Sequence, residues 1–140
     1  CKVMFVPQDA LRELTRLHPH LTRMLWLLTM IDAKINRAWL VAAATLQAPE
    51  RIGHFLCELY TRYRLIGFVE DDTLPMLLEQ KDLARLFGFS RTHIIRSVQF
   101  LRNEGMLEWS SGKVRLPDVE RLKAFSNFDP NYLEVSRIQR

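Results

Sequence analysis

Residues 90–105 read SRTHIIRSVQFLRNEG, with three arginines, one histidine and no carboxylate before Glu104. Side chains of this kind recognise rather than react. An arginine guanidinium donates two parallel hydrogen bonds to guanine O6 and N7, glutamine pairs with adenine, and small apolar groups meet the thymine methyl. On a helix, Arg91, Thr92, Ile95, Arg96 and Gln99 share one side, while Ile94, Val98 and Leu101 form the opposite, core-facing stripe. Arg91 and Thr92 stand in the first turn, where groove-reading residues sit, and His93 is read as a polar neighbour of a nucleic-acid backbone. A face without negative charge suits a duplex, with phosphates at the helix ends and base acceptors at its centre.

Other chemistries find no support. His18, His20, His54 and His93 are scattered, and Cys1 and Cys57 lie in no CxxC pair and beside no ligand-spaced histidine, so neither a metal site nor a disulfide framework is expected. Cys57, next to Phe55 and Leu56, reads as core packing. No nucleophile, base and orienting group come together, and no enzymatic activity is expected. The apolar run from Leu21 is broken by Arg23, Asp32, Lys34 and Arg37, short of the roughly 18 to 20 uncharged residues of a membrane span. With no secretory signal either, the expected location is the cytoplasm, without a membrane partner.

A cationic helix reads a groove only if something holds it out. Glu79 to Phe87 reads as a short helix burying Leu83, Leu86 and Phe87, and Gly88 suits the left-handed residue that ends it. Ser90 is then the cap of the next helix, accepting from the amide of Thr92 or His93. Two helices across a tight glycine turn form a helix-turn-helix. After Gly105, MLEWSSGKVRLPD gives two short strands around a turn at Ser110 to Gly112, a wing whose Lys113 and Arg115 flank the tip within reach of phosphates.

Upstream, QDALRELTRLH reads as a short helix, and CKVMFVP before it is strand-like. A lone strand is not stable in water. Since the chain also starts at Cys1, it is expected to be the C-terminal piece of a longer protein. From Leu21 to Gln47 there is no glycine or proline. Leu21, Met24, Leu28, Ile31, Ile35, Ala38, Ala42 and Thr45 recur in steps of three and four, a heptad seam on a helix about 40 Å long. Such a seam calls for a second helix, and a homodimer is expected along it; the alternative is that the helix packs inside its own fold. Leu25, Trp39 and Leu46 form a second stripe, with Trp26 and Trp39 assigned to contacts with a missing sensor domain. Pro49 opens a further helix that runs to Leu65. FVEDDTLPMLL is left as a hairpin or irregular connection, and the residues after Phe125 show too little pattern to assign.

At 140 residues, with 48% hydrophobic and 26% charged, the chain has a core's worth of apolar side chains. Its formal charge of +4 favours an anionic partner only weakly. Residues 49–125 carry twelve Lys and Arg against eleven Asp and Glu, a net of +1, so nucleic-acid binding rests on the local cluster and not on a domain-wide field.

APERIGHFLCELYTRY, followed by LPMLLEQKDLARLFGFSRTHIIRSVQFLRNEGMLEWSSGKVRLPDVERLKAF, resembles the C-terminal half of the Crp/Fnr family of bacterial transcription regulators. The shared pattern is the glycine-turn helix pair with Ser-Arg opening the recognition helix, an arginine five positions after Arg91, the LRNEGML exit, and a glycine wing followed by Asp118. VMFVPQDALRELTRLHPHLTRML resembles the end of the family's sensory β-roll, its short helix and the start of its dimerisation helix. The resemblance implies a homodimer that binds an inverted-repeat operator in double-stranded DNA and acts through RNA polymerase. Three positions depart from the family pattern: Thr92 stands where glutamate is common, Ile95 where a small residue is usual, and Phe100 where a charged residue is often found. Arg91 and Arg96 therefore carry over as base or phosphate contacts, while the operator sequence does not.

The expected architecture is mainly α: a long dimerisation helix followed by a winged helix-turn-helix with a small β-hairpin wing. Residues 1–18 are assigned to the end of the sensory β-roll and its short helix, 19–47 to the dimerisation helix, 48–125 to the DNA-binding domain and 126–140 to a tail. The expected function is sequence-specific DNA binding as a homodimer through the recognition helix 90–104. The alternative is a winged-helix module for protein association with little DNA affinity. No cofactor is expected in this chain, and an effector would act on the missing sensory domain.

Overall fold

Helix caps and left-handed glycines divide this chain into its elements. The computed structural model describes residues 2–110 and 112–134. Helix α1 (Gln8–Leu17) leads into α2 (Pro19–Thr45), whose 27 residues carry no internal breaker. Only Leu46 and Gln47 separate α2 from α3 (Ala48–Leu65), which opens with a capping box: the Gln47 amide donates to Glu50 Oε2 at 2.7 Å. Strand β1 (Thr73–Pro75) precedes α4 (Gln80–Phe87), which Gly88 ends at φ 71°. Helix α5 (Arg91–Asn103) follows, then β2 (Glu108–Ser110), β3 (Lys113–Arg115) and α6 (Val119–Phe125), and a 3₁₀ turn at Pro130–Leu133.

The core lies where α3, α5 and α6 meet the small sheet. Ile52, Leu56, Leu74, Leu83, Ile94, Leu101, Val114, Leu116 and Leu122 are wholly buried there. Gly53 lets α3 and α6 approach: a Cβ at this position would stand 3.0 Å from both Leu122 Cδ1 and Ser126 Cβ. Strand order is β1-β3-β2, antiparallel throughout, with Trp109 opposite Val114 and Leu74 on its other side. The wing is thus a hairpin braced by a third strand taken from the segment whose sequence left its structure open.

Several expectations are corrected. Lys2 to Pro7 form no strand and lie exposed, for no strand among the described residues lies beside them; Cys1 is outside the described residues. Leu86, expected in the core, is 56% exposed. Residues 126–134 are part of the fold: Phe128, Tyr132 and Leu133 are buried, and the 3₁₀ turn packs on α2; residues 135–140 are outside the described residues. That turn changes the reading of the heptad seam. Leu21, Met24 and Leu28 are open and Ile31 is half-buried, but Ile35 and Ala38 pack on the core and Ala42 is 3% exposed. In the second half of the seam Ile35, Ala38 and Ala42 thus pack on their own chain, while Thr45 is exposed. Trp39 is likewise committed inside the chain, donating from Nε1 to Glu58 Oε2 at 2.8 Å.

Candidate nucleic-acid interface

The presentation of α5 follows from its ends and its stripe. Ser90 Oγ accepts from the His93 amide at 3.2 Å, the second of the two partners expected. Ile94, Val98 and Leu101 are buried, and Ser97 joins them, its hydroxyl turned back onto the His93 carbonyl at 2.9 Å. Arg91, Thr92, His93, Ile95, Arg96 and Gln99 are all exposed. Among the described residues Arg91 and Arg96 meet no carboxylate, so both guanidinium groups keep their donors for a ligand. Gln99 is steadied by donating to Asn103 Oδ1 at 2.8 Å, and His93 lies against the Phe89 ring, centroids 5.0 Å apart.

Two shallow hollows flank the helix. Arg91 and Ile95 line one with Trp109 and Gly112 of the wing, and Thr92, His93 and Arg96 line the other with Pro49 at the start of α3. The wing residues differ from each other. Lys113 is exposed and unpaired among the described residues, whereas Arg115 donates to both oxygens of Glu108 across the ladder, at 3.0 and 3.1 Å. That pair engages Nη1 of Arg115 and lies on the surface, both side chains being about half exposed. Beyond α5, Arg102 donates to the Trp109 carbonyl and Arg121 to the Glu104 carbonyl at 2.7 Å, fastening the helix exit to the wing and to α6.

Behind α3 lies a buried polar cluster that the sequence did not disclose. Glu58 accepts from Trp39, from the Tyr132 hydroxyl at 2.6 Å and from Arg62 Nε at 2.8 Å. His54 places Nε2 3.0 Å from the Tyr132 hydroxyl and Nδ1 3.4 Å from the Ser126 carbonyl. Its one sequence signal is polar residues at i and i+4 inside an apolar helix. Burial lowers the His54 pKa, and the Ser126 carbonyl and the Glu58 charge oppose that only in part. Folded His54 therefore binds its proton less readily than the unfolded chain does, and stability falls as pH drops below the ordinary histidine value of about 6.5. Melting temperature is expected to decline from pH 7.5 to pH 5.5, and His54→Gln to flatten that decline. Burial also raises the Cys57 thiol to about 12, in keeping with an inert core residue. Among the described residues there is no group of side chains that could hold a metal ion, and no helix long and apolar enough to cross a membrane.

A capped helix pair across a left-handed glycine, its second helix exposed beside a braced hairpin, defines a winged helix-turn-helix protein. The Crp-like helix-turn-helix domain matches residues 50–125, and the chain belongs to that family. In fold it is similar to a CRP-family transcriptional regulator from Thermus thermophilus, with a TM-score of 0.51 and 17% identity over 87% of this chain and 56% of that one. Ligand-free reduced CprK aligns at a TM-score of 0.45 and 17% identity, over 85% of this chain and 57% of its own. The catabolite activator protein of Thermus thermophilus aligns at 0.40 and 20%, over 86% and 52%. The chain spans little more than half the length of these proteins. No match is found among curated protein sequences.

Proposed function

We propose that this chain is the DNA-binding part of a dimeric transcription regulator, with α5 entering the major groove of an inverted-repeat operator. The observation that carries the reading is the exposed, carboxylate-free face of Arg91, Thr92, Ile95, Arg96 and Gln99, with two unpaired guanidinium groups. Arg91 and Arg96 contact bases or adjacent phosphates, Thr92 and Ile95 meet thymine methyl groups, and Ser90, His93 and Lys113 lie along the backbone. Arg115 contributes least, being shared with Glu108.

The same reading places a second copy against α2, on a different face from the one its first heptad pattern marks. Trp26, Met30, Ala33, Arg37, Leu40 and Ala44 also recur in steps of four and three, and all six are exposed, Trp26 by 67% and Leu40 by 71%. Large apolar groups at this exposure are costly in water and at home in a helix-helix seam. Residues 19–47 then act as the dimerisation element, and the DNA-binding unit extends from 48 to at least Leu133, with RNA polymerase as a further partner and the cytoplasm as the compartment.

Salt titration tests the electrostatic part of this proposal. Binding to a random-sequence duplex releases counterions, so log affinity should fall linearly with log salt, by about 0.9 per phosphate neutralised. Affinity independent of salt would favour the protein-association reading.

A further inference from the structure

Helix α2 and the DNA-binding unit are joined through the backbone only by Leu46 and Gln47, both extended. Two residues with four soft dihedrals do not by themselves fix the angle between two helices. That angle matters to any dimer held by α2, because it decides how far apart two copies of α5 stand.

Side chains supply what the linker lacks. Trp39, on α2, donates to Glu58 and stacks on Phe87, ring centroids 6.3 Å apart and planes 20° apart. Arg51, in the first turns of α3, donates to the carbonyls of Ala43 and of Leu46, the latter at 3.0 Å, and its guanidinium lies 4.8 Å over the Phe89 ring. Phe87 and Phe89 are the residues on either side of Gly88, the turn of the helix-turn-helix. The end of α2 is thus tied at two points to the turn that aims α5.

The chemistry of the ties is directional. Glu58 is 8% exposed, and a buried carboxylate is costly unless its lone pairs are met. Its three donors come from α2, from α3 and from the 3₁₀ turn, so they are all satisfied in one mutual arrangement of those elements. These hydrogen bonds fix α2 against α3 and the 3₁₀ turn, and the ring contacts to Phe87 and Phe89 carry that arrangement to the turn at Gly88.

We propose that Trp39 and Arg51 are positioning residues, forming a two-point joint that clamps the end of α2 to Phe87 and Phe89 and so sets the separation of the two recognition helices in the dimer. Neither touches DNA in this scheme. Each acts through the turn at Gly88.

The test uses two readouts. Nitroxide labels are placed through Asp32→Cys on α2 and Thr92→Cys on α5, in a Cys1→Ser background, and the labelled chain is diluted with unlabelled protein. The native joint should give one narrow intramolecular distance. Trp39→Phe, which keeps a ring against Phe87 but loses the N–H, and Arg51→Gln should each broaden it, with the double variant broadest. An unchanged distribution in the double variant overturns the joint, as does a loss of melting temperature without broadening. The second readout rests on the DNA-binding proposal: native protein should discriminate between operators whose half-sites are moved by one base pair, and the variants should lose that discrimination while affinity for a single half-site stays the same. Retained discrimination in the double variant overturns the joint. If native protein binds no duplex, it is the DNA-binding reading that fails, and the distance measurement still decides the joint.

Discussion

Arg96→Ala and Arg91→Ala should each lower affinity for the operator roughly 5- to 150-fold, with circular dichroism and melting temperature unchanged. The range is that of a bidentate arginine-guanine pair, worth about 1 to 3 kcal/mol. The separation of binding from stability follows from the structure: both side chains are exposed, and neither meets a carboxylate among the described residues. A base contact also leaves a particular signature, relaxed preference at one operator position, whereas a phosphate contact weakens all sequences alike and reduces the salt slope by about one. Fluorescence anisotropy against operator variants at two salt concentrations distinguishes these roles. Unchanged affinity in both variants would remove α5 from the interface.

Leu40→Asp should produce a folded monomer and lower operator affinity on the order of 100-fold or more. Leu40 is 71% exposed, so a carboxylate there costs the fold little, but in a dimer it would be buried between two apolar helices. Loss of the second recognition helix then removes the avidity of two linked contacts, commonly 10²- to 10⁴-fold. Ala42→Asp provides the contrast. Ala42 is buried against its own chain, so a carboxylate there should unfold the protein instead of dissociating it. Light scattering together with thermal melting separates the two outcomes. A folded, monomeric Ala42→Asp beside a dimeric Leu40→Asp would restore the first heptad seam.

That contrast marks where the sequence is legible. The elements of the helix-turn-helix were readable because their signals are local: a serine cap, a glycine able to take positive φ, a buried stripe at helical spacing and a glycine-containing wing turn. The seam on α2 was not, because the helix is apolar nearly all round and two heptad patterns run along it. Which of them lies open is decided by Phe128, Tyr132 and Leu133, about ninety residues away, in a stretch that its sequence alone does not mark as core. Strand β1 was equally obscure, being a three-residue strand that ends in Pro75 and exists only because β3 pairs with it. The pairing of Arg115 with Glu108 depends on the register between β2 and β3, and the links from Trp39 and Arg51 join positions that no local pattern connects.

Two copies of α5 reading an inverted repeat together would leave a direct trace in the DNA they select. Selection from a randomised duplex pool with the purified chain, at low and at physiological salt, reads that trace. Enrichment of an inverted repeat with half-site centres about one helical turn, 34 Å, apart is the expected result. Failure of a folded, dimeric chain to enrich any sequence would contradict it.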